Sequence, residues 1–371
     1  MRIEQLDWTS APSDATGDAH LVLAFAGSEA LARRDVYAEC RARFPAARIL
    51  GCSTAGEIQD THVRSESVSI TAVRFDRSRV ESASVELAGP AGSFDAGRAL
   101  AAKLDQPDLV HAFVLSDGID VNGTELVRGV IEGLPPHVTV SGGLAGDGER
   151  MARTLVIADA PGRAGIVAAV GLYGSNLRVG CGCRGGWDPF GPERLITRSE
   201  ANVLHELDHA SALELYGRYL GPHAAGLPAT GLLFPLSVRA PGDTKSVVRT
   251  ILGVDHERQS ITFAGDVPVG HYARLMKANF DRLIDGANAA ASIARERARG
   301  PVELAILVSC VGRRLVLGQR VEEEIEGVRE MLGPGVITGF YSNGEISPTG
   351  VVGCELHNQT MTITTIGETL S

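Results

Sequence analysis

Apolar and polar positions along this chain follow two periods, and they switch in a recurring order. Leu21-Val22-Leu23-Ala24-Phe25-Ala26 is a short unbroken apolar run, the mark of a strand buried on both faces. Residues 28–43 follow with helical spacing (Ala30, Leu31, Val36, Tyr37, Cys40), and Phe44-Pro45 stops them, since proline disfavours helix in the residue before it. A strand at 48–51 comes next, and Val68–Phe75 alternates like a half-buried strand. The order repeats with strand 111–116, helix 123–132, the stop Leu134-Pro135-Pro136, strand 138–141 and an outgoing strand at 154–157. It repeats again with strand 304–310, helix 319–332, Gly333-Pro334-Gly335, strand 336–339 and an outgoing strand at 360–366.

Strand, helix, strand with connections this short implies a parallel unit with a right-handed crossover. Both strands then end at one edge, where ligands bind in open α/β sheets. After the second strand of each unit comes a loop of one design. The first is Gly51-Cys52-Ser53-Thr54-Ala55-Gly56-Glu57-Ile58, and the last is Gly339-Phe340-Tyr341-Ser342-Asn343-Gly344-Glu345-Ile346. A looser copy is Val140-Ser141-Gly142-Gly143-Leu144-Ala145-Gly146-Asp147-Gly148. Such internal similarity is the first thing to account for.

The stretch between the second and third units has another character. Residues 165–173 and 177–183 read as two strands of a hairpin around Gly174-Ser175-Asn176. Trp187–Pro192 reads as a rigid loop, 213–220 as a short helix, and 231–238, 246–254, 260–264 and 272–276 as strands. Residues 277–299 are helical, and 1–19 read as a polar, poorly ordered lead-in. The fold class is therefore α/β: two domains, with mixed sheets built from repeated βαβ units and antiparallel hairpin extensions. At 371 residues two domains are the default, and the boundary falls near 221–229.

Composition narrows the function. Apolar content of 44% with 22% charge is that of a soluble globular protein. A net charge of −10 without a basic patch argues against a nucleic-acid partner. No apolar run approaches the roughly 20 residues that span a bilayer, so membrane insertion is not expected. No hydrophobic run follows Met1, so a signal peptide is not expected. The six cysteines lack a framework spacing and read as reduced thiols of a cytoplasmic protein.

Gly51–Ile58, Ser116-Asp117-Gly118, Ser141–Asp147 and Gly339-Phe340-Tyr341 through Leu356-His357-Asn358-Gln359-Thr360 together resemble the FIST proteins, sensory proteins of signal transduction. The resemblance covers nearly the whole chain, with a FIST N-terminal domain at 20–221 and a FIST C-terminal domain at 222–371. It implies a small-ligand sensor without catalytic activity, with amino acids proposed as ligands; one branch of the family is haem-based and senses nitric oxide. The chain carries no kinase or cyclase segment. The implied output partner is a separate signalling protein such as a histidine kinase or a cyclic-dinucleotide enzyme.

The residues offer matching chemistry. Glycines and small residues let backbone N–H groups converge on an anion, and Glu57 and Glu345, in matching positions, can hold an ammonium. The expected ligand-binding set is Cys52, Ser53, Thr54, Gly56, Glu57, Ser141, Gly142, Gly143, Asp147, Tyr341, Asn343, Glu345, His357 and Asn358, which suits a zwitterion. The bland alternative is turn geometry for the glycines and helix capping for the glutamates. His357 is either a hydrogen-bonded structural residue or a ligand contact. Were haem bound, His357, Cys52, Tyr341 and Cys354 are the axial candidates. The competing class is an enzyme: a hydrolase using Cys52 with His357, or a zinc enzyme through His205-Glu206-Leu207-Asp208-His209, a match to H-E-x-x-H. That segment also reads as a strand entering a turn. In a strand, positions four apart are about 13 Å apart and cannot share a metal. Cys181 and Cys183 read as buried structural thiols.

Overall fold

The computed structural model describes residues 1–7, 17–348 and 353–369. The first unit runs β1 (Arg2–Asp7), β2 (Leu21–Gly27), α1 (Ser28–Arg33), α2 (Val36–Arg43), β3 (Arg48–Thr54), β4 (Glu57–Gln59), β5 (His62–Arg64), β6 (Val68–Arg74) and β7 (Arg79–Glu86). The second runs α3 (Ser93–Leu104), β8 (Leu109–Ser116), α4 (Gly123–Gly133), β9 (Thr139–Leu144), β10 (Val156–Ala158), β11 (Ile166–Tyr173) and β12 (Leu177–Arg184). A lobe follows with β13 (Asp188–Glu200), β14 (Val203–Leu207), β15 (Ala210–Ser211), α5 (Ala212–Leu220), β16 (Leu236–Arg239), β17 (Val247–Arg249), β18 (Ile251–Asp255), β19 (Ser260–Phe263) and β20 (Tyr272–Lys277). The third unit is α6 (Phe280–Ala298), β21 (Leu304–Cys310), α7 (Val311–Leu317), α8 (Val321–Leu332), β22 (Val336–Ser342), β23 (Gly344–Pro348), β24 (Cys354–His357) and β25 (Met361–Glu368).

The three units share one sheet plan and exchange strands in a circle. The sheets run β1-β6-β2-β3-β10, β7-β11-β8-β9-β23-β24 and β12-β25-β21-β22-β4-β5. In each, two antiparallel strands lead into a parallel pair, β2–β3, β8–β9 or β21–β22. The next strand always comes from another unit. β4 leaves β3 and pairs with β22, β23 leaves β22 and pairs with β9, and β10 follows β9 and pairs with β3. The three glycine loops are the crossing points of this exchange. The inner faces of the sheets meet in a central core that includes Leu23, Phe25, Leu50, Phe113, Leu115, Val308 and Phe340. The Phe25 and Phe340 rings sit 4.7 Å apart there. The lobe has its own sheet, β17-β16-β20-β13-β14-β19-β18, with β15 on β14, and its own core around Tyr216 and Phe263. Three of the four sheets draw strands from both sides of residue 221.

The α/β architecture of repeated parallel units with antiparallel extensions is as expected, but several elements differ. The polar start is strand β1, paired along its length with β6; residues 8–16 of the expected lead-in lie outside the described residues. The strands flanking Gly174 are not a hairpin: β11 pairs with β7 and β8, whereas β12 pairs with β25. Trp187–Pro192 is not a loop, because β13 starts at Asp188 and pairs with β20. Residues 229–233 form a 3₁₀ turn, so the strand expected from 231 starts at Leu236. The helix at 28–43 is two helices; Asp35 breaks it by capping the second, its side chain accepting from Ala38 N at 3.0 Å.

Close approach of strands explains Gly142, which has φ +144° and whose added Cβ would lie 1.8 Å from Val114 O. Gly148 has φ +61° with open space around it. Gly142→Ala is expected to destabilise by about 2–3 kcal/mol and Gly148→Ala by about 1 kcal/mol. Urea unfolding of both variants checks this, and equal losses would refute the packing argument.

Candidate functional site

The three loops meet at one rim. Ala55 N donates to Tyr341 O and Tyr341 N to Gly56 O, both at 2.8 Å. Gly146 N donates to Ser53 O at 2.8 Å, and Asn343 N to Leu144 O at 3.3 Å. Gly146 sits where all three loops touch: a Cβ there would lie 2.6 Å from Ala55 N and 2.9 Å from Tyr341 O. Segments distant in sequence therefore converge, but as a packed knot rather than around an opening. Cys52, Ser53, Ser141, Tyr341 and Glu345 have no exposed surface. Two cavities, of about 290 Å³ beside the α1–α2 junction and about 360 Å³ around Asp105–Leu109 and His137, are lined by none of the expected site residues.

The two matched carboxylates act as ties. Glu57 accepts from Thr54 Oγ1, from Ser67 N at 2.9 Å and from Ser67 Oγ at 2.6 Å. Glu345 accepts from Ser342 Oγ at 2.7 Å, Thr360 N at 3.1 Å and Thr360 Oγ1 at 2.9 Å. Each joins a hydroxyl three residues back to the residue that precedes the unit's outgoing strand, β6 or β25. Burial pushes the Glu57 carboxyl up, and pushes that of Glu345 up to about 8. Glu345 is wholly buried with both carboxyl oxygens already bonded, so in this structure it fastens the rim. Asp147, at the equivalent position of the second loop, turns instead to Ser28 Oγ, to Arg150 Nε at 3.1 Å and to Ala152 N at 3.0 Å. Burial pushes its carboxyl up, but these hydrogen bonds prevail and hold it below the usual range. The tie to the outgoing strand falls there to Asp117, which accepts from Gly165 N at 2.8 Å.

Ser141 Oγ lies 2.6 Å from Thr364 Oγ1 and 3.1 Å from His111 Nε2, and the Tyr341 hydroxyl donates to Glu324 at 3.1 Å. Cys52 lies in the central core, its thiol driven up by burial, and shares no hydrogen bond with His357. That geometry gives the hydrolase alternative no dyad. His205 lies on β14, whereas Asp208 and His209 adopt positive φ in the turn after it, so the H-E-x-x-H match is a strand and its turn. Among the described residues no three His, Cys, Asp or Glu side chains are grouped to hold a metal.

His357, Asn358 and Asn343 differ from the rest. His357 is half-buried on β24, with Nε2 3.3 Å from Ser347 O. Burial, and then the nearby Arg249 charge, push its imidazole down to about 4, so it is neutral at pH 7. Asn358 is fully buried with neither amide atom bonded. Asn343 Nδ2 donates to Gly118 O at 3.2 Å, while its Oδ1 is unpaired. Arg249, from β17 of the lobe, donates to Leu356 O next to His357 at 3.0 Å and was not among the expected residues. Its signal is a lone arginine within the apolar run Val247-Val248-Arg249-Thr250-Ile251-Leu252.

Among the described residues no helix is long and apolar enough to cross a membrane. Two uncharacterized proteins, of Mycobacterium bovis and Mycobacterium tuberculosis, are each 27% identical to this chain over 226 residues, covering 57% of it and 56% of theirs. The chain thus spans about half the length of the curated relatives it matches. A chorismatase crystal structure aligns over 98% of this chain and 97% of its own at 10% identity and a TM-score of 0.38, too slight a likeness to carry an activity across. The FIST N domain model matches residues 20–210 and the FIST C domain model residues 212–348. With both halves matched in order, the chain belongs to the FIST family of sensory domains.

Proposed function

We propose that the chain senses a small molecule held where the lobe meets the third unit, against His357, Asn358 and Asn343. The observation that carries this is Asn358, a wholly buried amide with both atoms unpaired. Leaving such a group unsatisfied costs about 1–3 kcal/mol, and a ligand that bonds to it removes that cost. The packed loops at 51–58, 141–148 and 339–346 serve as the frame beneath the site. We take the FIST N-terminal domain as 20–221 and the C-terminal domain as 222–371, interlocked by strand exchange. Ligand binding shifts the lobe against the core and alters a surface read by a separate partner, such as a histidine kinase or a cyclic-dinucleotide enzyme, in the cytoplasm.

An amino acid-like ligand suits this reading better than haem. Cys52 and Tyr341 are sealed in the interior, and His357 Nε2 already faces a carbonyl oxygen. These residues do not fit an axial role, which needs an open face on the iron.

A thermal-shift screen of the twenty amino acids tests the reading. A ligand at 100 times its Kd adds about 2.7 kcal/mol to stability. Asn358→Ala is expected to abolish that gain. A screen with no gain, or an undiminished gain in Asn358→Ala, would refute the site, and a sharp Soret band on adding one equivalent of haem would return the ligand to haem.

A further inference from the structure

Arg249 is only 5% exposed, and among the described residues it forms no ion pair. Its recorded partners are two carbonyl oxygens: Nε donates to Asp266 O in the lobe at 3.1 Å, and Nη1 to Leu356 O on β24 at 3.0 Å. A guanidinium presents five N–H donors in a planar fork, so these two bonds leave most of it unused. Burying such a charge without a carboxylate is expensive. The lobe nevertheless shapes itself around the group: a Cβ on Gly265 would lie 2.8 Å from Arg249 Nε.

The surroundings define what fits. Asn358, two residues past the Leu356 contact, offers an unpaired amide donor and acceptor. Asp266 Oδ1 is also buried without a partner. The negative charges of Asp266 and Glu355 favour the charged guanidinium but stop short of contact. An arginine fork bonds a planar carboxylate through two parallel N–H···O bonds. Two flanking carboxylates repel a second negative charge on the ligand, and the unpaired Asp266 oxygen accepts from a hydroxyl or amino group on it.

We propose that Arg249 is an anion seat between the lobe and the third unit, binding the carboxylate of a small monocarboxylic acid that also carries a hydrogen-bond donor. The seat rests on the ligand site assigned above for its place, but on Arg249 for its chemistry. Because the arginine already bridges both bodies, a bound carboxylate clamps them together.

Thermal unfolding of the full chain is followed at constant ionic strength with acetate, lactate, alanine or phosphate added. Lactate and alanine are expected to raise the midpoint saturably, acetate less, and phosphate least. Arg249→Gln is expected to lose the response, and Arg249→Lys to need at least tenfold more ligand. Should the Gln variant fail to fold, an unchanged affinity in the Lys variant overturns the seat. A response lost in Asn358→Ala but intact in Arg249→Gln also overturns it, while leaving the sensor site standing. No response to any carboxylate in the unaltered chain refutes the seat, and a response to alanine's methyl ester equal to that of alanine does so as well.

Discussion

Arg313→Met is expected to destabilise the fold by about 3–5 kcal/mol, the usual cost of breaking a buried ion pair from one side. Arg313 and Glu324 are both wholly buried. Arg313 donates to Glu324 through Nε at 2.8 Å and through Nη2, to Leu283 O at 2.8 Å, and to Gly185 O. The other Glu324 oxygen accepts from the Tyr341 hydroxyl. One side chain thus joins α7 and α8 to α6, to the turn after β12, and through Tyr341 to the rim. Removing it strands a carboxylate with only two neutral donors, the Tyr341 hydroxyl at 3.1 Å and the Ser309 hydroxyl at 3.5 Å, both on one oxygen. The double replacement Arg313→Met with Glu324→Leu is expected to recover most of the loss, since neither charge then lies unpaired. Urea midpoints of the two single variants and the double variant check this. A single-variant loss below 1 kcal/mol, or a double variant no better than the single ones, would mean the pair holds nothing in place.

Much of the layout was legible because the central strands announce themselves. β2, β8 and β21 are buried on both faces, and each carries an apolar run: 21–26, 112–115 and 304–308. The Gly-Glu-Ile loops were legible as repeats for a physical reason as well: each needs a tight crossing followed by a tie. Their destination was not legible. Nothing local in Glu57-Ile58-Gln59 states that it pairs with Thr338–Phe340 rather than with its own unit. The same gap lies at Gly174, where a good turn between two good strands joins two different sheets. β1 hid in Arg2-Ile3-Glu4-Gln5-Leu6-Asp7 because an edge strand is free to stay polar. The proposed site is half legible. His357, Asn358 and Asn343 were named from sequence, but whether a loop glutamate binds a ligand or fastens a backbone is decided by burial, and burial is a property of the whole fold.

That distinction gives Glu345 its own pH signature. Its carboxyl titrates near 8 in the folded chain, raised from 4.5 chiefly by burial. The fold therefore prefers the protonated form. The stability it contributes is fully present below about 4.5 and is lost as pH rises through 8. The shift corresponds to roughly 3–5 kcal/mol across that window. Asp147 and Glu368 are lowered and act with the opposite sign, losing their contribution as pH falls through their folded pKa. The clean observable is the difference between Glu345→Gln and the unaltered chain. Glutamine imitates the neutral carboxyl, and the Ser342 hydroxyl can turn to accept from its amide. The difference is expected to be small at pH 5 and to favour Glu345→Gln by roughly 2–4 kcal/mol at pH 9. A difference curve that stays flat from pH 5 to 9 would show that the carboxylate is held ionised. Because Glu345 pairs directly across β23–β24 with His357, an ionised Glu345 would place a negative charge beside the imidazole, whose own pKa would then lie higher than the present value of about 4. The titration of His357 in Glu345→Gln therefore reads the same question independently: unchanged from the parent chain below pH 7 if Glu345 is neutral there, lowered if it is not.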